Sequence, residues 1–269
     1  MRSNTIHFVF LSLKKLSVFH SSTIWEIPSN SFPFVLAALS FISWRPSFSL
    51  SLSIPYLAKK YLDENQQLLL GKVIGFMVLI GYFSWVILEM LAGSFSLKLH
   101  LPFHLCRTAN ILIFIVLFFR SYLAYEIVFF WGLTVIHAVI TPDITQGFPH
   151  YHFIRYWLTH QLMIIGIIYA TFVYDIRPHK TSIYKSFLAL LLFFLITIPV
   201  NLFLDANYFW ICGKPPVGTV LDYFGPWPWY LIVATLLALI HFYFFYHLIN
   251  FISSKISKWG NILKSYHKE

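Results

Sequence analysis

The chain has 269 residues, of which 58% are apolar and only 11% are charged, and its mean hydropathy is +0.71. A soluble domain carries about 25% charged residues, so this composition excludes a string of soluble domains and indicates a polytopic membrane protein. The net charge of +9 is explained by basic loops and a basic tail beside anionic lipid headgroups, without a nucleic-acid partner.

The sequence before residue 58 predicts a lead-in segment and an irregular span. Residues 1–30 mix lysine and serine with short apolar runs, typical of an interfacial helix or an irregular lead-in, and they lack a signal-peptide cleavage site. Residues 32–57 are long enough to span a bilayer but contain Arg45 and Pro46, so we expect an interrupted span there.

Six further apolar runs approach the roughly 20 residues that a transmembrane helix needs. They are residues 73–92, 101–119, 122–140, 157–174, 187–204 and 229–249. We therefore expect an all-α fold, a polytopic bundle of about seven spans, because only helices satisfy the backbone of such runs in lipid. The expected domains are a lead-in at 1–30, one transmembrane domain at 31–250 and a tail at 251–269.

Basic residues concentrate in alternate loops, which predicts the orientation. Lys59, Arg120, Arg177 and the tail lysines fall on one side, so the positive-inside rule predicts a cytoplasmic C-terminus. The other side, the outer one by this rule, then receives the loop before the motif LPFHLC (101–106), the loop TPDITQGFPHYHF (141–153) and the loop 205–228.

Four polar residues near the outer span ends share one predicted depth. At about 1.5 Å per helical residue, and with Pro102 in the first turn of its helix, Glu89, Cys106, His137 and His160 lie about one turn below the surface. Polar residues in lipid need a reason, which is either shared chemistry or interfacial packing.

Cys106 is the candidate nucleophile of this layer, because a helix N-terminus and the adjacent Arg107 favour a thiolate. Its base would come from another helix, with His160 as the first choice and His137 as the second. His104 stays among the catalytic candidates, although residues two apart on a helix point in different directions and Thr108 is its nearer neighbour. A disulfide with Cys212 is the competing account of the thiol.

The polar loops supply candidate substrate-binding residues. His150 and His152, with Asp143 nearby, make only a weak metal pattern, so we expect no metal and no cofactor. We assign His150 and Asp143 to substrate binding or turn formation. Asn207 and Lys214 suit a headgroup phosphate, although interfacial anchoring explains the same region. Glu89 and Thr108 join these loop residues from the predicted helices. The expected substrate-binding residues are Glu89, Thr108, Asp143, His150, Asn207 and Lys214.

The motif LPFHLC, the run from Phe129 to Gln161, and the blocks NYFWICGKPP and LDYFGPWPWY resemble the YwaF-type bacterial integral membrane family over residues 68–249. That family is related to the eukaryotic transmembrane-protein-164 acyltransferases, which remodel phospholipids with a membrane-embedded Cys and His pair. The resemblance implies a lipid acyltransferase, or a lipid ester hydrolase, in a bacterial cell membrane, with His160 as the intramembrane His. The eukaryotic motif places Cys directly before His, where this chain has Phe103, which leaves Cys106, Thr108 or no nucleophile.

The resulting hypothesis is acyl transfer between membrane lipids, which are the expected partners. The acyl group of a phospholipid or lysophospholipid would pass to Cys106 and then to a second lipid hydroxyl. Two alternatives come from other classes: a small-solute transporter, and a non-catalytic membrane assembly or receptor protein. Transport ranks lower because Glu89 and Glu126 lie near span ends, and only His241 lies well inside a clear span.

Overall fold

The structure is a computed structural model that describes residues 49, 51–134, 137–138, 142, 144, 147–216 and 219–266, with side chains described up to residue 255. The predicted all-α fold is confirmed, since the described residues form helices and no strand. The principal helices are α1 (residues 51–61), α2 (Glu64–Ala92), α3 (Leu105–Phe119), α4 (Tyr122–Leu133), α5 (Tyr151–Phe172), α6 (Lys180–Leu204) and α7 (Trp229–Tyr266). Two 3-10 turns, Tyr208–Trp210 and Val220–Phe224, lie between α6 and α7.

Among the described residues, three helices are long and apolar enough to cross a membrane, which supports a membrane bundle: Glu64–Ala92, Lys180–Leu204 and the Trp229–Lys255 part of α7. α2 begins earlier than its apolar run because Asp63 caps it: the Asp63 carboxylate accepts the Gln66 backbone N–H at 2.9 Å, and the Gln66 side chain accepts the Asp63 N–H. Of the interrupted span expected at 32–57, residues 51–57 belong to α1 and most of the rest lies outside the described residues.

Two apolar helices are shorter than their predicted spans. α3 has 15 residues and α4 has 12, so at about 1.5 Å per residue both fall short of a hydrocarbon core of roughly 30 Å. α4 ends at Leu133, where the hydroxyl of Thr134 donates to the Trp131 carbonyl at 2.6 Å. A hydroxyl bonded to the preceding turn competes with helical hydrogen bonding. The run predicted at 122–140 is therefore not one continuous helix.

α5 is the central helix of the described bundle. It packs against α2, α3 and α4, and most of its residues are buried. The contact with α3 is close, since a Cβ on Gly166 would meet Cγ2 of Ile113 at 2.7 Å. The polar side chains of α5 are therefore covered by other helices and need not face lipid.

The neighbouring helices α4 and α6 are joined by an ion pair between a buried carboxylate and a half-exposed lysine. Glu126 is 1% exposed, and its carboxylate accepts hydrogen bonds from Lys185 Nζ at 2.9 Å and from Ser182 Oγ at 2.7 Å. Each polar group in this cluster is satisfied, as burial requires. The cluster lies near the starts of α4 and α6, at one end of the bundle.

The opposite end, which we call the site end, gathers the ends of α2 and α6 and the starts of α3, α5 and α7. Tyr208 joins these elements: its buried hydroxyl donates to Leu97 O at 2.6 Å and accepts from Leu101 N at 2.9 Å. The Asn201 side chain binds both the N–H and the carbonyl of Tyr208. The loop before α3 and the loop 205–228 therefore meet, as the alternation of spans predicts.

Candidate functional site

A cavity of about 360 Å³ opens at the site end, within the roughly 300–1,000 Å³ range of small-molecule pockets. α6, α7 and the loop 205–228 contribute mainly hydrocarbon and aromatic side chains to its wall. Its side chains with a hydroxyl, thiol or imidazole are few: His104, Cys106, Thr134, His137, Tyr156, Thr219, Tyr230, Thr235 and His241. Such a cavity fits a largely apolar ligand with one polar region.

Cys106 is the second residue of α3, because the helix begins at Leu105 after the cap residue His104. The prediction that Pro102 lies in the first helical turn is wrong, since Pro102 precedes the helix. The Thr108 hydroxyl donates to the carbonyls of Pro102 and His104, and these bonds fix the backbone at the start of the helix. Cys106 therefore lies among first-turn N–H groups that lack helical acceptors, at the positive end of the helix dipole. Both cysteines are free, so no disulfide joins Cys106 to Cys212.

His137 lines the same cavity and is paired with His241. The two Nε2 atoms are 3.0 Å apart, and His241 Nδ1 lies 2.7 Å from the carbonyl of Leu237. Nδ1 of His241 must donate to that carbonyl, so Nε2 of a neutral His241 accepts the proton of His137 Nε2. The basic nitrogen of a neutral His137 is then Nδ1.

His160 lies behind the cavity wall. It is 6% exposed, its Nδ1 donates to the Tyr156 carbonyl at 2.7 Å, and its ring stacks on Tyr156 with centroids 4.1 Å apart. Tyr156 itself lines the cavity and donates to the carbonyl of Ala138 at 2.7 Å. In the described part of the chain no hydrogen bond joins Cys106 to an imidazole, of His160 or any other residue.

His104 contributes an aromatic contact to the site. Its ring packs against Tyr208 and Trp210, with centroids 5.4 and 5.1 Å apart. Thr108, the expected partner of this imidazole, instead binds the His104 backbone carbonyl. His104 thus connects the start of α3 to the loop 205–228.

Glu89 lies on the last turn of α2, outside the cavity lining. Its carboxylate accepts a hydrogen bond from Trp85 Nε1 at 3.1 Å and another from Ser94. Nε2 of His100 lies 4.0 Å from it and Nε2 of His152 lies 3.8 Å from it. Glu89 is therefore the acidic centre of a polar cluster at the site end.

Two arginines share the Trp85 ring in this cluster. The guanidinium Cζ of Arg107 lies 4.6 Å from the ring centroid and that of Arg155 lies 4.4 Å from it. They arrive from the starts of α3 and α5, while Trp85 belongs to α2. The bundle thus concentrates positive charge next to Cys106.

The predicted loop candidates hold the backbone of the site end. Asn207 accepts the N–H groups of Cys212 and Gly213 and donates to the Gly213 carbonyl. Lys214 Nζ lies 3.7 Å from an Asp222 carboxylate oxygen. His150 caps α5 by accepting the His152 N–H at 3.2 Å, and Asp143 lies outside the described residues.

The structure brings together only part of the predicted layer. Cys106 and His137 line one cavity. Glu89 belongs to the polar cluster with the arginines, and His160 is separated from the cavity by the ring of Tyr156. His241 and Arg155 were missed as site residues. An ionisable residue inside an apolar span was the available signal for His241, whereas nothing in the spacing points Arg155 toward Trp85.

Comparison with family models matches residues 16–246 to the TMEM164 family. Comparisons with curated proteins and with solved structures found no match to the chain. The family match covers most of the 269 residues and includes the cavity, the histidine pair and the arginine cluster. The chain therefore belongs to the TMEM164 family and is an integral membrane protein.

Proposed function

We propose that the chain is a membrane acyltransferase that moves acyl groups between phospholipids and lysophospholipids through Cys106. The observation that carries this proposal is the apolar cavity with a thiol and an imidazole in its wall. A lipid ester next to hydrocarbon chains is the substrate class that such a lining accommodates. The branch of the family is then the YwaF-type, and the setting is a bacterial cell membrane.

The reaction is a double displacement at Cys106. The sulfur attacks the ester carbonyl, the ester C–O bond breaks, and the acyl group forms a thioester while the first lipid leaves as an alcohol. A hydroxyl of the second lipid then attacks the thioester and releases the thiol. N–H groups in the first turn of α3 are the groups that would stabilise the oxyanion in each step.

His137 is our candidate base because it lines the cavity with Cys106. In this proposal the imidazole of His137, oriented by His241 and Leu237, takes the thiol proton and delivers it to the leaving alkoxide. His160, which the sequence resemblance favours, has Nδ1 committed to the Tyr156 carbonyl and Nε2 as its basic nitrogen. The two histidines are separated by experiment.

The test is acyl exchange by the full chain in vesicles that contain an isotopically labelled diacyl phospholipid and an unlabelled lysophospholipid, followed by mass spectrometry. We expect Cys106→Ala to abolish label transfer and His137→Ala to lower it by about 10²-fold to 10⁴-fold, the contribution of a general base. Cys212→Ala is the matched control, because Cys212 is a free, exposed cysteine outside the cavity lining.

Transfer that survives Cys106→Ala would defeat the thiol mechanism and return the transporter and receptor alternatives. Loss of transfer in His160→Ala but not in His137→Ala would assign the role of base to His160. Transfer of label to water instead of the lysolipid would make the chain a lipid ester hydrolase with the same nucleophile.

A further inference from the structure

The paired arginines form a site that the acyl-transfer chemistry does not use. Arg107 and Arg155 lie within 5 Å of one ring, Trp85, at 4.6 and 4.4 Å from its centroid. Each guanidinium also lies within electrostatic range of the other. Like charges repel strongly where water is scarce. An arrangement that holds them together is suited to an anion.

Arg155 supplies an open donor. Its Nε is buried and has no hydrogen-bond partner among the described residues. Arg107 is held differently, since it donates to the carbonyls of Leu99 and Leu101. Buried donors are almost always satisfied, so the Nε of Arg155 is a buried donor for which the described residues supply no acceptor.

The donor chemistry of the two guanidinium groups favours an anionic ligand. Glu89 is the acid that interacts with Arg155, and its carboxylate is already engaged by Trp85 and Ser94. Arg155 keeps an unpartnered Nε beside this engaged carboxylate. A phosphodiester carries one negative charge, and its oxygens match the donor fork of arginine.

The position of the site identifies the rest of the ligand. Arg107 follows Cys106 in the chain, and Cys106 lies within electrostatic range of both guanidinium groups. Cys106 also lines the apolar cavity. In a glycerophospholipid the phosphate is only a few bonds from the ester carbonyls, so a phosphate at the arginines leaves an ester near the thiol and a chain for the cavity.

We propose that Arg107 and Arg155, assembled around Trp85, bind the phosphate group of a phospholipid whose acyl chain enters the cavity. This rests on the proposed function for the identity of the substrate, but the binding itself requires no turnover. The protein should therefore bind phosphate-bearing lipids more tightly than neutral glycerolipids that carry the same acyl chain.

The test compares two ligands that differ only in the phosphate headgroup, lysophosphatidylglycerol and the monoacylglycerol with the same acyl chain. Binding to the full chain is measured in an uncharged sugar detergent by native mass spectrometry. We expect the wild-type chain to prefer the phospholipid by about tenfold or more, the equivalent of one charge-assisted contact. Arg155→Gln should remove this preference and leave the affinity for monoacylglycerol unchanged, which also shows that the variant is folded.

Lys98→Gln is the matched control. Lys98 is an exposed cation at the same end of the bundle, where it donates to Asp205 at 2.6 Å and lowers the pKa of that carboxyl. Its loss should leave the preference intact. An equal loss in Lys98→Gln, or an unchanged preference in Arg155→Gln, would overturn the proposal. Arg155→Lys, measured in parallel, should reduce the preference, because lysine keeps the charge but not the donor fork.

Two further measurements distinguish a lipid headgroup from free phosphate, and the phosphate site from the thiol mechanism. Inorganic phosphate that binds the wild-type chain as tightly as the lysolipid would overturn the assignment to a lipid headgroup. Cys106→Ala should keep the phospholipid preference while losing acyl transfer. If Cys106→Ala kept both the preference and acyl transfer, the thiol mechanism would fail and the phosphate site would stand, whereas loss of the preference in Cys106→Ala would overturn the separate phosphate site.

Discussion

His137 and His241 are 104 positions apart in sequence, yet their Nε2 atoms lie 3.0 Å from each other beside the cavity. The Leu237 carbonyl orients His241, and His241 in turn orients His137. A base held in one tautomer needs no reorganisation before it accepts a proton. His241 is therefore a positioning residue in the proposed mechanism.

Replacement of His241 tests this orientation. His241→Phe keeps a ring but removes the acceptor for His137, so we expect the kcat of acyl transfer to fall about tenfold with a smaller change in KM. His247→Phe, on the exposed face of the same helix, should change neither constant. An unchanged kcat in His241→Phe would remove His241 from the mechanism.

The hydroxyl of Tyr208 joins the loop 205–228 to the loop before α3. Tyr208→Phe removes bonds to Leu97 and Leu101 in a buried environment, so we expect the free energy of unfolding to fall by about 1–3 kcal/mol. Limited proteolysis should then cut the loop 205–228 faster. Tyr223→Phe, at 75% exposure in the same loop, should leave both measurements as in the wild-type chain.

At the scale of elements, the central position of α5 explains why a helix with His160, Gln161 and Arg155 tolerates the bilayer. α2, α3 and α4 cover its sides, and small residues let the backbones approach each other. The apolar helices α6 and α7 face outward instead, with many exposed leucine, isoleucine and phenylalanine side chains. Burial, rather than hydropathy, thus decides where the polar helix lies.

The close approach of α3 and α5 gives a test of this packing. Gly166→Val would push side-chain atoms against Ile113, whose Cγ2 would lie 2.7 Å from the added Cβ, and overpacking of this kind costs about 1–3 kcal/mol. We expect a lower midpoint of thermal unfolding in detergent. Gly147→Val is the control, since a Cβ on Gly147 meets no atom within 4 Å; equal midpoints for the two variants would contradict the central role of α5.

At the scale of the molecule, the two cysteines allow the orientation to be measured without added labels. Cys212 is exposed at the site end and Cys106 is half-buried in the cavity wall. By the positive-inside rule the site end faces outward, so an impermeant maleimide added to intact cells should label Cys212, and Cys212→Ala should remove the label. Labelling that requires lysed cells would reverse the predicted orientation and the cytoplasmic C-terminus.

Much of this molecule could be predicted from apolar runs and basic loops. The all-α class follows because lipid offers no partners to backbone N–H and C=O groups, so each apolar run must bond within itself. Of the two bases considered for Cys106, His137, the second choice, lines the cavity with it, whereas His160, the first choice, does not. The predicted helix start near Pro102 was wrong, because helix entry at Leu105 depends on local hydrogen bonds that hydropathy does not register.

The sequence by itself determined the class, the span order and the side on which the polar loops gather. Only the tertiary structure decided which polar residues meet: His137 with His241, and Arg155 with Trp85 and Arg107. The reason is that residue spacing sets depth along a helix axis, whereas packing against neighbouring helices sets the rotation of each helix about that axis.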